Sequence, residues 1–487
     1  MKKVVATVVI AIAALFAVFA FRAVTIFHDL QVEPAAGITD IQFDKAGAIR
    51  HFSDALKIQT ISYDDRSNFD ATAFTDFHAF LQAAYPLVHE HGSRTLINDY
   101  SLVYHFRGSD PALEPVLFMS HMDVVPVEEI TQDQWTYPAF DGTVENDIIW
   151  GRGAIDDKFG IVTLMEAMEL LLSENVRPQR DIYFAFGHDE EVGGTDGAAK
   201  IAEYFAHQGV RFDFVLDEGG AVTIRPDGFV KRPVGSIAVS EKGYVNIKLT
   251  VNAPGGHSSA PPDQTAVGIV SRAVVRVEDN PFPANLASIN RNFDFIATHT
   301  SFFTRLAMAN QWLLSPVIKK MLLADKGSAS AVRTSTAATM ISGSPKANIL
   351  PTRATAVINF RIFPGETTET VKQRVVELVD DDRVIVTDEY GNNPSPVSPT
   401  ESRGFGILAA TIRGMDETIV VAPFMLSGGT DAKYFYTLSP NIYRFRMNYY
   451  TPENAGRAHG IDEQVPVKDY LQAIRFNYHF IRQSMAN

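Results

Sequence analysis

The sequence contains no cysteine. This absence excludes disulfide bonds, zinc sites built from thiolates and cysteine nucleophiles, so any metal site must draw its ligands from His, Asp and Glu. Basic residues are also in deficit, since 43 Lys and Arg stand against 57 Asp and Glu, which gives a formal net charge of −14. Because phosphate binding requires a basic face, we expect no nucleic-acid partner.

Length and apolar content indicate a large globular protein. The chain has 487 residues, of which 46% are apolar. A chain of this size buries a large core and exceeds the usual size of one compact unit. We therefore expect two domains.

The N-terminus has the pattern of a signal peptide or a membrane anchor over residues 1–22. Lys2 and Lys3 precede an apolar run from Val4 to Phe21. Either interpretation places the rest of the chain outside the cytoplasm. Small residues near the end of the run suit a cleavage site, but the run is long for a cleaved signal, and we favour an uncleaved anchor that attaches the protein to the membrane. Residues 23–44 then form a tether.

Short apolar segments that end in polar residues predict an α/β catalytic domain. Val116–Met119, Ile182–Phe186 and Phe214–Leu216 have the composition of buried strands, and Ile161–Ser173 has helical spacing. In sheets whose strands alternate with helices, ligands bind at the carboxyl ends of the strands. We therefore expect the functional site at the ends of these segments.

A change of pattern after Gly243 predicts a smaller domain at 244–390, inserted into a catalytic domain made of 45–243 and 391–487. The order β-α-β-β-α-β is typical of a ferredoxin-like α+β domain. The predicted elements are Val245–Leu249, Val267–Val277, Thr339–Ser342, Thr355–Ile362, Glu366–Val379 and Val384–Thr387.

A long apolar stretch from Phe282 to about Ser335 interrupts this insert. Phe303, Leu306 and Trp312 belong to its helix-like pattern. One interpretation is a packed helical hairpin. The other is a surface that receives an apolar ligand, such as an acyl chain, or the membrane.

Three loops at strand ends carry residues suited to metal-assisted hydrolysis. His121 and Asp123 follow the first strand, Asp156 lies in the turn at 151–158, and Glu190 and Glu191 follow the second strand. Such chemistry needs converging imidazoles and carboxylates, plus a free carboxylate that acts as base. A lone histidine or a lone acidic pair usually has a structural role, but their joint occurrence favours a metal site.

These three loops resemble the aminoacylase and carboxypeptidase branch of the dinuclear zinc peptidases. Within that family, the resemblance is carried further by the segments Asp217–Gly220, Ser240–Gly243 and Gly256–Pro262. The resemblance covers nearly all the chain after the N-terminal segment and is strongest to carboxypeptidase S and the secreted N-fatty-acyl-amino acid synthase/hydrolase. It implies a catalytic domain of zinc-exopeptidase type, a ferredoxin-like lid and dimerisation domain, and a homodimer.

The resemblance also implies two bound zinc ions. The ligands that it assigns are His121, Asp156 as the bridging carboxylate, Glu191 and His459. The fifth ligand is Asp217 or Glu218, because family members use either position of this pair, and we favour Asp217. Carboxylate and imidazole ligands also suit cobalt and manganese.

The remaining roles follow from the same resemblance. Glu190 matches the general base and Asp123 matches the carboxylate that supports a metal ligand. His257 matches a residue that reaches the active site of the other subunit and stabilises the oxyanion, and Asn348 matches a position that assists it.

Two features are candidates for binding the substrate carboxylate. Arg361 offers a planar guanidinium, although a surface salt bridge on a strand is an alternative role for it. The loop that contains Gly428 and Gly429 resembles the family's glycine-rich loop near the substrate.

These roles imply a hydrolase for amide bonds in N-acyl amino acids or small peptides with a free carboxylate, and the reverse condensation is open to the same site. One alternative is a carboxypeptidase acting on ordinary dipeptides. Another is a binding protein that has lost catalysis, which would typically lack some of the ligands.

Overall fold

The structure is a computed structural model that describes residues 1–226, 228–454 and 456–486. Its α-helices are α1 (Lys2–Thr25), α2 (Lys45–Lys57), α3 (Ala71–Ala84), α4 (Pro86–His91), α5 (Lys158–Ser173), α6 (Ala198–His207), α7 (Ala266–Glu278), α8 (Ala287–Ile296), α9 (Phe302–Ala309), α10 (Gln311–Leu323), α11 (Lys326–Val332), α12 (Thr368–Val379), α13 (Arg403–Met415) and α14 (Val467–Ser484).

The strands are β1 (Ser93–Ile97), β2 (Ser101–Phe106), β3 (Val116–His121), β4 (Val144–Glu145), β5 (Ile148–Trp150), β6 (Ile182–Gly187), β7 (Phe214–Asp217), β8 (Ala221–Thr223), β9 (Val234–Glu241), β10 (Gly243–Asn252), β11 (Gly256–His257), β12 (Ser335–Ser342), β13 (Ile349–Leu350), β14 (Arg353–Ile362), β15 (Val384–Asn392), β16 (Val420–Leu426), β17 (Ile442–Arg444), β18 (Tyr449–Tyr450) and β19 (Gln464–Pro466).

A large mixed sheet organises the part of the chain that carries the candidate site residues. Its order is β1-β2-β6-β3-β7-β17-β9-β8-β18, and β16 pairs with β9. β3 lies between β6 and β7 and runs parallel to both. All six residues of β3 and of β6 are buried, as expected for strands that are covered on both faces. The predicted mixed α/β fold is confirmed.

Helices cover both faces of this sheet. The larger core contains Phe118 on one sheet face together with Phe159 of α5 and Phe480 of α14. A second core on the opposite face joins Val215 of β7 to Phe205 of α6. This sandwich holds the carboxyl ends of β3, β6 and β7 in fixed positions at one sheet edge.

The segment after Gly243 forms a second sheet with a separate core. Its order is β12-β14-β10-β15, every neighbouring pair is antiparallel, and α7 and α12 pack on it. Ile247, Ile358 and Val375 are fully buried in this core. The elements follow the predicted β-α-β-β-α-β order, and the apolar stretch between α7 and β12 folds as α8 to α11.

The N-terminal apolar run forms α1, which is long and apolar enough to cross a membrane, with 6% of its most apolar window buried. The following residues, predicted to be a tether, lie against the catalytic body. The Gln31 side chain donates to the carbonyls of Phe295 and Val421, and Arg475 donates to the Thr39 carbonyl. The sequence pattern gave no indication of this docking.

Candidate metal centre

Several residues of the candidate site lie at the carboxyl ends of three parallel strands, at one edge of the sheet. His121 is the last residue of β3, Glu190 and Glu191 lie in a short 3₁₀ turn after β6, and Glu218 follows β7. Because the strands are parallel neighbours, their carboxyl ends meet, as open α/β sheets require of a ligand site. The predicted position of the site agrees with this geometry.

His121 is buried and its ring is held on both nitrogens. Nδ1 lies 2.9 Å from the Asp123 carbonyl oxygen, and Nε2 lies 2.9 Å from Oδ1 of Asp156 and 3.3 Å from Oε1 of Glu218. Ligand atoms of His121, Asp156 and Glu218 therefore converge within 4.8 Å of one another. A ring whose Nδ1 faces a carbonyl presents Nε2 to a metal.

A second cluster shares Asp156 with the first. Nε2 of His459 lies 3.1 Å from Oδ2 of Asp156 and 3.1 Å from Oε2 of Glu191. The two oxygens of Asp156 thus point to different histidines, which is the geometry of a bridging carboxylate. The His459 side chain is 53% exposed, so solvent reaches the site from this side.

The two candidates for the fifth ligand, Asp217 and Glu218, lie in different surroundings. Both Asp217 oxygens accept backbone hydrogen bonds, Oδ1 from the amide of Glu218 and Oδ2 from the amide of Ala432, each at 2.9 Å. Asp217 ends β7 and turns into the protein, whereas Glu218 lies one residue beyond and turns toward His121. The geometry therefore favours Glu218 over Asp217.

Electrostatics in the cluster suit divalent cations. Burial raises the pKa of Glu190 and of Glu218 well above the usual range; repulsion from Glu218 adds to the shift of Glu190, and repulsion from Asp156 adds to the shift of Glu218. Burial and the charge of Asp156 likewise raise the pKa of Glu191. Oε1 of Glu191 is buried and has no hydrogen-bond partner among the described residues. Such a crowded set of hard oxygen and nitrogen donors fits a metal ion.

Asp123 positions the acidic turn as well as the histidine. Its carboxylate accepts hydrogen bonds from the backbone amides of Glu190 and Glu191, each at 3.1 Å, and Oδ1 lies 3.3 Å from Nδ1 of His121. Burial opposes ionisation of Asp123, but these partners keep its pKa below the usual value. Within the described chain the Glu190 side chain makes no hydrogen bond.

Sequence reasoning missed Glu463, which holds the turn that carries Asp156. One carboxylate oxygen accepts from Arg152 at 2.6 Å and from the Gly153 amide, and the other accepts from the amides of Ile155 and Asp156. Arg152 also donates to the His459 carbonyl. Glu463 lies four residues beyond His459, and nothing in that spacing predicts bonds to a turn about 310 residues earlier in the chain.

Two residues predicted to act from the lid, His257 and Asn348, lie close to each other, and among the described residues neither contacts the two clusters. His257 in β11 pairs with Ile349 in β13, and the Asn348 carbonyl accepts from the amide of Ser258. His257 is exposed, and its Nδ1 lies 2.8 Å from the hydroxyl of Ser259. The ring therefore faces outward from its own chain.

Arg361 and the Gly428–Gly429 loop were predicted to bind the substrate carboxylate. Arg361 stacks on the ring of Tyr244 at 4.8 Å, and no carboxylate pairs with it in the part of the chain that the structure describes. A Cβ added at Gly428 or Gly429 would meet no atom within 4 Å. The glycines are therefore not required by contacts within this chain.

A cleft beside the cluster offers access to it. It has a volume of about 380 Å³, and its lining includes Trp135, Arg152, His459 and Ile461. Polar and apolar groups thus meet next to the exposed histidine, as is usual where a small molecule binds.

Comparison with known proteins identifies the family. The model of peptidase family M20/M25/M40 matches residues 117–483, which include every residue of both clusters. The chain belongs to this family. M20 peptidases are metallopeptidases, which agrees with the donor set, and the prediction of a metal-dependent enzyme is confirmed at this level.

Relatives match over most of their length. The chain is 39% identical to "Probable carboxypeptidase S-like 2" of Dictyostelium discoideum, with 88% of this chain and 83% of the relative covered. It is 35% identical to the human N-fatty-acyl-amino acid synthase/hydrolase PM20D1, with 88% and 86% covered. Among solved structures, an M20 family metallo-carboxypeptidase of Sulfolobus solfataricus has a TM-score of 0.65 at 16% identity, with 91% of this chain and 100% of that chain covered. This structural likeness supports the fold.

Proposed function

We propose that this M20 peptidase hydrolyses the amide bond of N-acyl amino acids, or of small peptides, that carry a free carboxylate. The observation that carries the proposal is the pair of clusters joined by Asp156, with the unbonded carboxylate of Glu190 beside them. The relatives named as carboxypeptidases and as N-fatty-acyl-amino acid synthase/hydrolases support the same chemistry.

Two zinc ions fit the donor sets. His121, Asp156 and Glu218 would hold one ion, and Asp156, Glu191 and His459 would hold the other. When bound, the metal supplies Lewis acidity that acidifies water and polarises the scissile carbonyl. The same ligands accept cobalt or manganese.

Glu190 acts as the general base and then as the general acid. Its carboxylate takes a proton from the attacking water and returns it to the leaving nitrogen. Burial, which raises the pKa of Glu190, makes its carboxylate a stronger proton acceptor. Asp123 holds the Glu190 amide and the His121 ring, so it positions the base and a ligand together.

The smaller domain at 244–390 is proposed to be a lid and dimerisation domain. Edge strand β12 exposes Met340 and Ile341, which offers a surface for pairing with a second copy. His257 faces outward, so it suits a site on the partner subunit, where its ring would donate a hydrogen bond to the developing oxyanion. Asn348, the residue before the adjoining strand β13, would assist it.

The substrate carboxylate is proposed to bind near Arg361 or the Gly428–Gly429 loop. Arg361 has no carboxylate partner in the described chain, and the open space around both glycines lets backbone amides approach an anion. Residues 1–22 are proposed to deliver the protein outside the cytoplasm and, if uncleaved, to anchor it.

A direct comparison of substrates tests the proposal. Purified full-length protein is assayed with an N-oleoyl amino acid and with a dipeptide at matched concentrations. Turnover of the N-oleoyl substrate with a higher kcat/KM supports a fatty-acyl amidohydrolase, and a clear preference for the dipeptide supports the carboxypeptidase alternative. If neither amide is cleaved by metal-loaded protein, the proposed function is wrong.

A further inference from the structure

The C-terminal end of α1 is fixed against the hairpin of α9 and α10. The Arg22 guanidinium donates to the Ala309 carbonyl at 3.1 and 2.9 Å, and the Asn310 side chain donates to the Phe19 carbonyl at 3.2 Å. The rings of Phe19 and Trp312 meet edge to face, with centroids 6.0 Å apart. The apolar helix and the hairpin therefore form one unit.

The outer face of this hairpin is apolar. Phe303 of α9 is 73% exposed, and on α10 the exposed fractions are 63% for Trp312, 56% for Val317 and 64% for Met321. Val317 and Met321 are four residues apart and lie on one side of the helix. The side of α10 that includes Ile318 packs on the protein. A helix on a water-facing surface normally carries mainly polar residues on its outer side, whereas the exposed residues of α10 are mainly apolar and include one charged residue, Lys320.

The length of α1 fixes the depth of the hairpin. A bilayer core of about 30 Å takes about 20 helical residues. Counted from Val4, after the charged Lys2 and Lys3, that span ends near Ala23, so Phe19 lies in the far leaflet and Arg22 lies at its boundary. Trp312, which packs on Phe19, then lies at the membrane–water interface, where tryptophan is favoured.

The connection after α1 keeps this arrangement. The rings of Phe27 and Phe293 lie 5.1 Å apart, and Gln31 is hydrogen-bonded to the carbonyls of Phe295 and Val421. Because these contacts join the residues that directly follow α1 to α8 and β16, the body cannot swing away from the helix without breaking them. A membrane that receives α1 also meets the outer face of the hairpin.

We propose that the α9–α10 hairpin is a membrane contact that enters the same leaflet as the C-terminal end of α1. The occupant of its apolar face is the lipid of that leaflet. Exposed Lys320, between Val317 and Met321 in the sequence of α10, is positioned to reach lipid phosphates. The catalytic body is thereby held at the bilayer surface by two elements instead of one.

Tryptophan fluorescence tests the contact in the full chain. The protein has three tryptophans, and Trp135 and Trp150 belong to the catalytic body. The full-length protein and Trp312→Phe are reconstituted in phosphatidylcholine vesicles, with and without bromine on the acyl chains. We expect bromolipid to quench the emission of wild type, and the quenched component to be missing from Trp312→Phe. Quenching of Trp312 by aqueous iodide, with no effect of bromolipid, would overturn the proposal.

Single cysteines give an independent readout because the chain has none of its own. Val317→Cys is compared with Leu96→Cys, whose native side chain is 53% exposed on β1, at the edge of the central sheet remote from β9 and β16. In vesicles we expect a water-soluble maleimide to label Leu96→Cys and to label Val317→Cys many-fold more slowly. Equal labelling of both would refute the contact. Disulfide crosslinking of Val317→Cys between chains would assign the face to a second copy and would also refute it.

Discussion

Replacing Glu463 by glutamine removes the charge that holds the Asp156 turn. In the native protein the two carboxylate oxygens share four donors, namely the Arg152 guanidinium and the backbone amides of Gly153, Ile155 and Asp156. Glu463 is fully buried. A glutamine side chain has one acceptor oxygen, so its amide group faces either the Arg152 side or the Ile155 side and leaves donors there without an acceptor.

Burial of the Arg152–Glu463 ion pair sets the expected loss of stability in Glu463→Gln. Removing one partner of a buried ion pair costs about 3–5 kcal/mol, because the other charge stays buried without compensation. Part of this cost falls on the metal centre, since the Asp156 amide and, through Arg152, the His459 carbonyl lose their support. Removing a group that orients metal ligands typically lowers affinity by about 10–100-fold. We expect Glu463→Gln to show both effects.

The assay pairs zinc affinity, measured against a fluorescent chelator, with urea unfolding of the metal-free protein. Asp213→Asn is the matched control. Its carboxylate accepts from Arg180 at 2.8 Å and from Arg403 at 2.7 Å, just before β7 begins and so at the opposite end of that strand from Glu218. We expect the control to lose stability with unchanged zinc affinity. If Glu463→Gln loses no more zinc affinity than the control, the role assigned to Glu463 is wrong.

Three further predictions follow from the site. Glu218→Ala lowers the zinc content, measured by elemental analysis, by about one ion per chain. Asp217→Asn keeps the metal, but its free energy of unfolding in urea falls by about 1–3 kcal/mol because one backbone amide loses its acceptor. Loss of zinc from Asp217→Asn and not from Glu218→Ala would identify Asp217 as the ligand. Gly429→Ala leaves the free energy of unfolding unchanged or raises it by up to about 1 kcal/mol, because the added Cβ meets no atom, yet it lowers kcat/KM, and unaltered kinetics would exclude substrate contact at this loop. A mixture of inactive His257→Ala and inactive Glu190→Gln chains regains about a quarter of wild-type activity after subunit exchange, since a mixed dimer has one complete site; no recovery would place His257 in its own subunit's site.

Local sequence patterns were sufficient to predict the strands that end at the site. Apolar segments that end in polar residues predicted β3, β6 and β7, and the structure extends each by one or two residues, up to His121, Gly187 and Asp217. The pattern succeeds because buried parallel strands must be apolar, so the first polar residue marks the strand end. The resemblance then identified His121, Asp156 and His459, which the structure brings together.

The choice between Asp217 and Glu218 could not be made from the sequence. Adjacent residues in a strand point to opposite faces, and whether Asp217 or Glu218 faces His121 depends on where β7 ends. The strand continues through Asp217, and the amide of Ala432, from a distant segment, takes up its carboxylate. That contact is set by tertiary structure, which local spacing does not report.

Long-range polar contacts could not be predicted from the sequence either. Glu463 accepts from three backbone amides, and backbone donors leave no trace in side-chain patterns. Docking of residues 23–44 was missed for a similar reason, because Gln31 bonds to backbone carbonyls of Phe295 and Val421. For the stretch from Phe282 to about Ser335 the sequence left two interpretations open, and the structure contains both a packed side and an exposed apolar side.

Glu190 is proposed to be the base of a metal-dependent amide hydrolysis. The most direct test measures kcat for the best N-acyl amino acid or dipeptide substrate, together with metal content, in wild type and in Glu190→Gln. We predict a fall in kcat of about 10²–10⁴-fold with unchanged metal content, because the glutamine keeps the backbone amide on Asp123 and cannot accept the proton. Full activity of Glu190→Gln, with metal bound, would show that Glu190 is not the base.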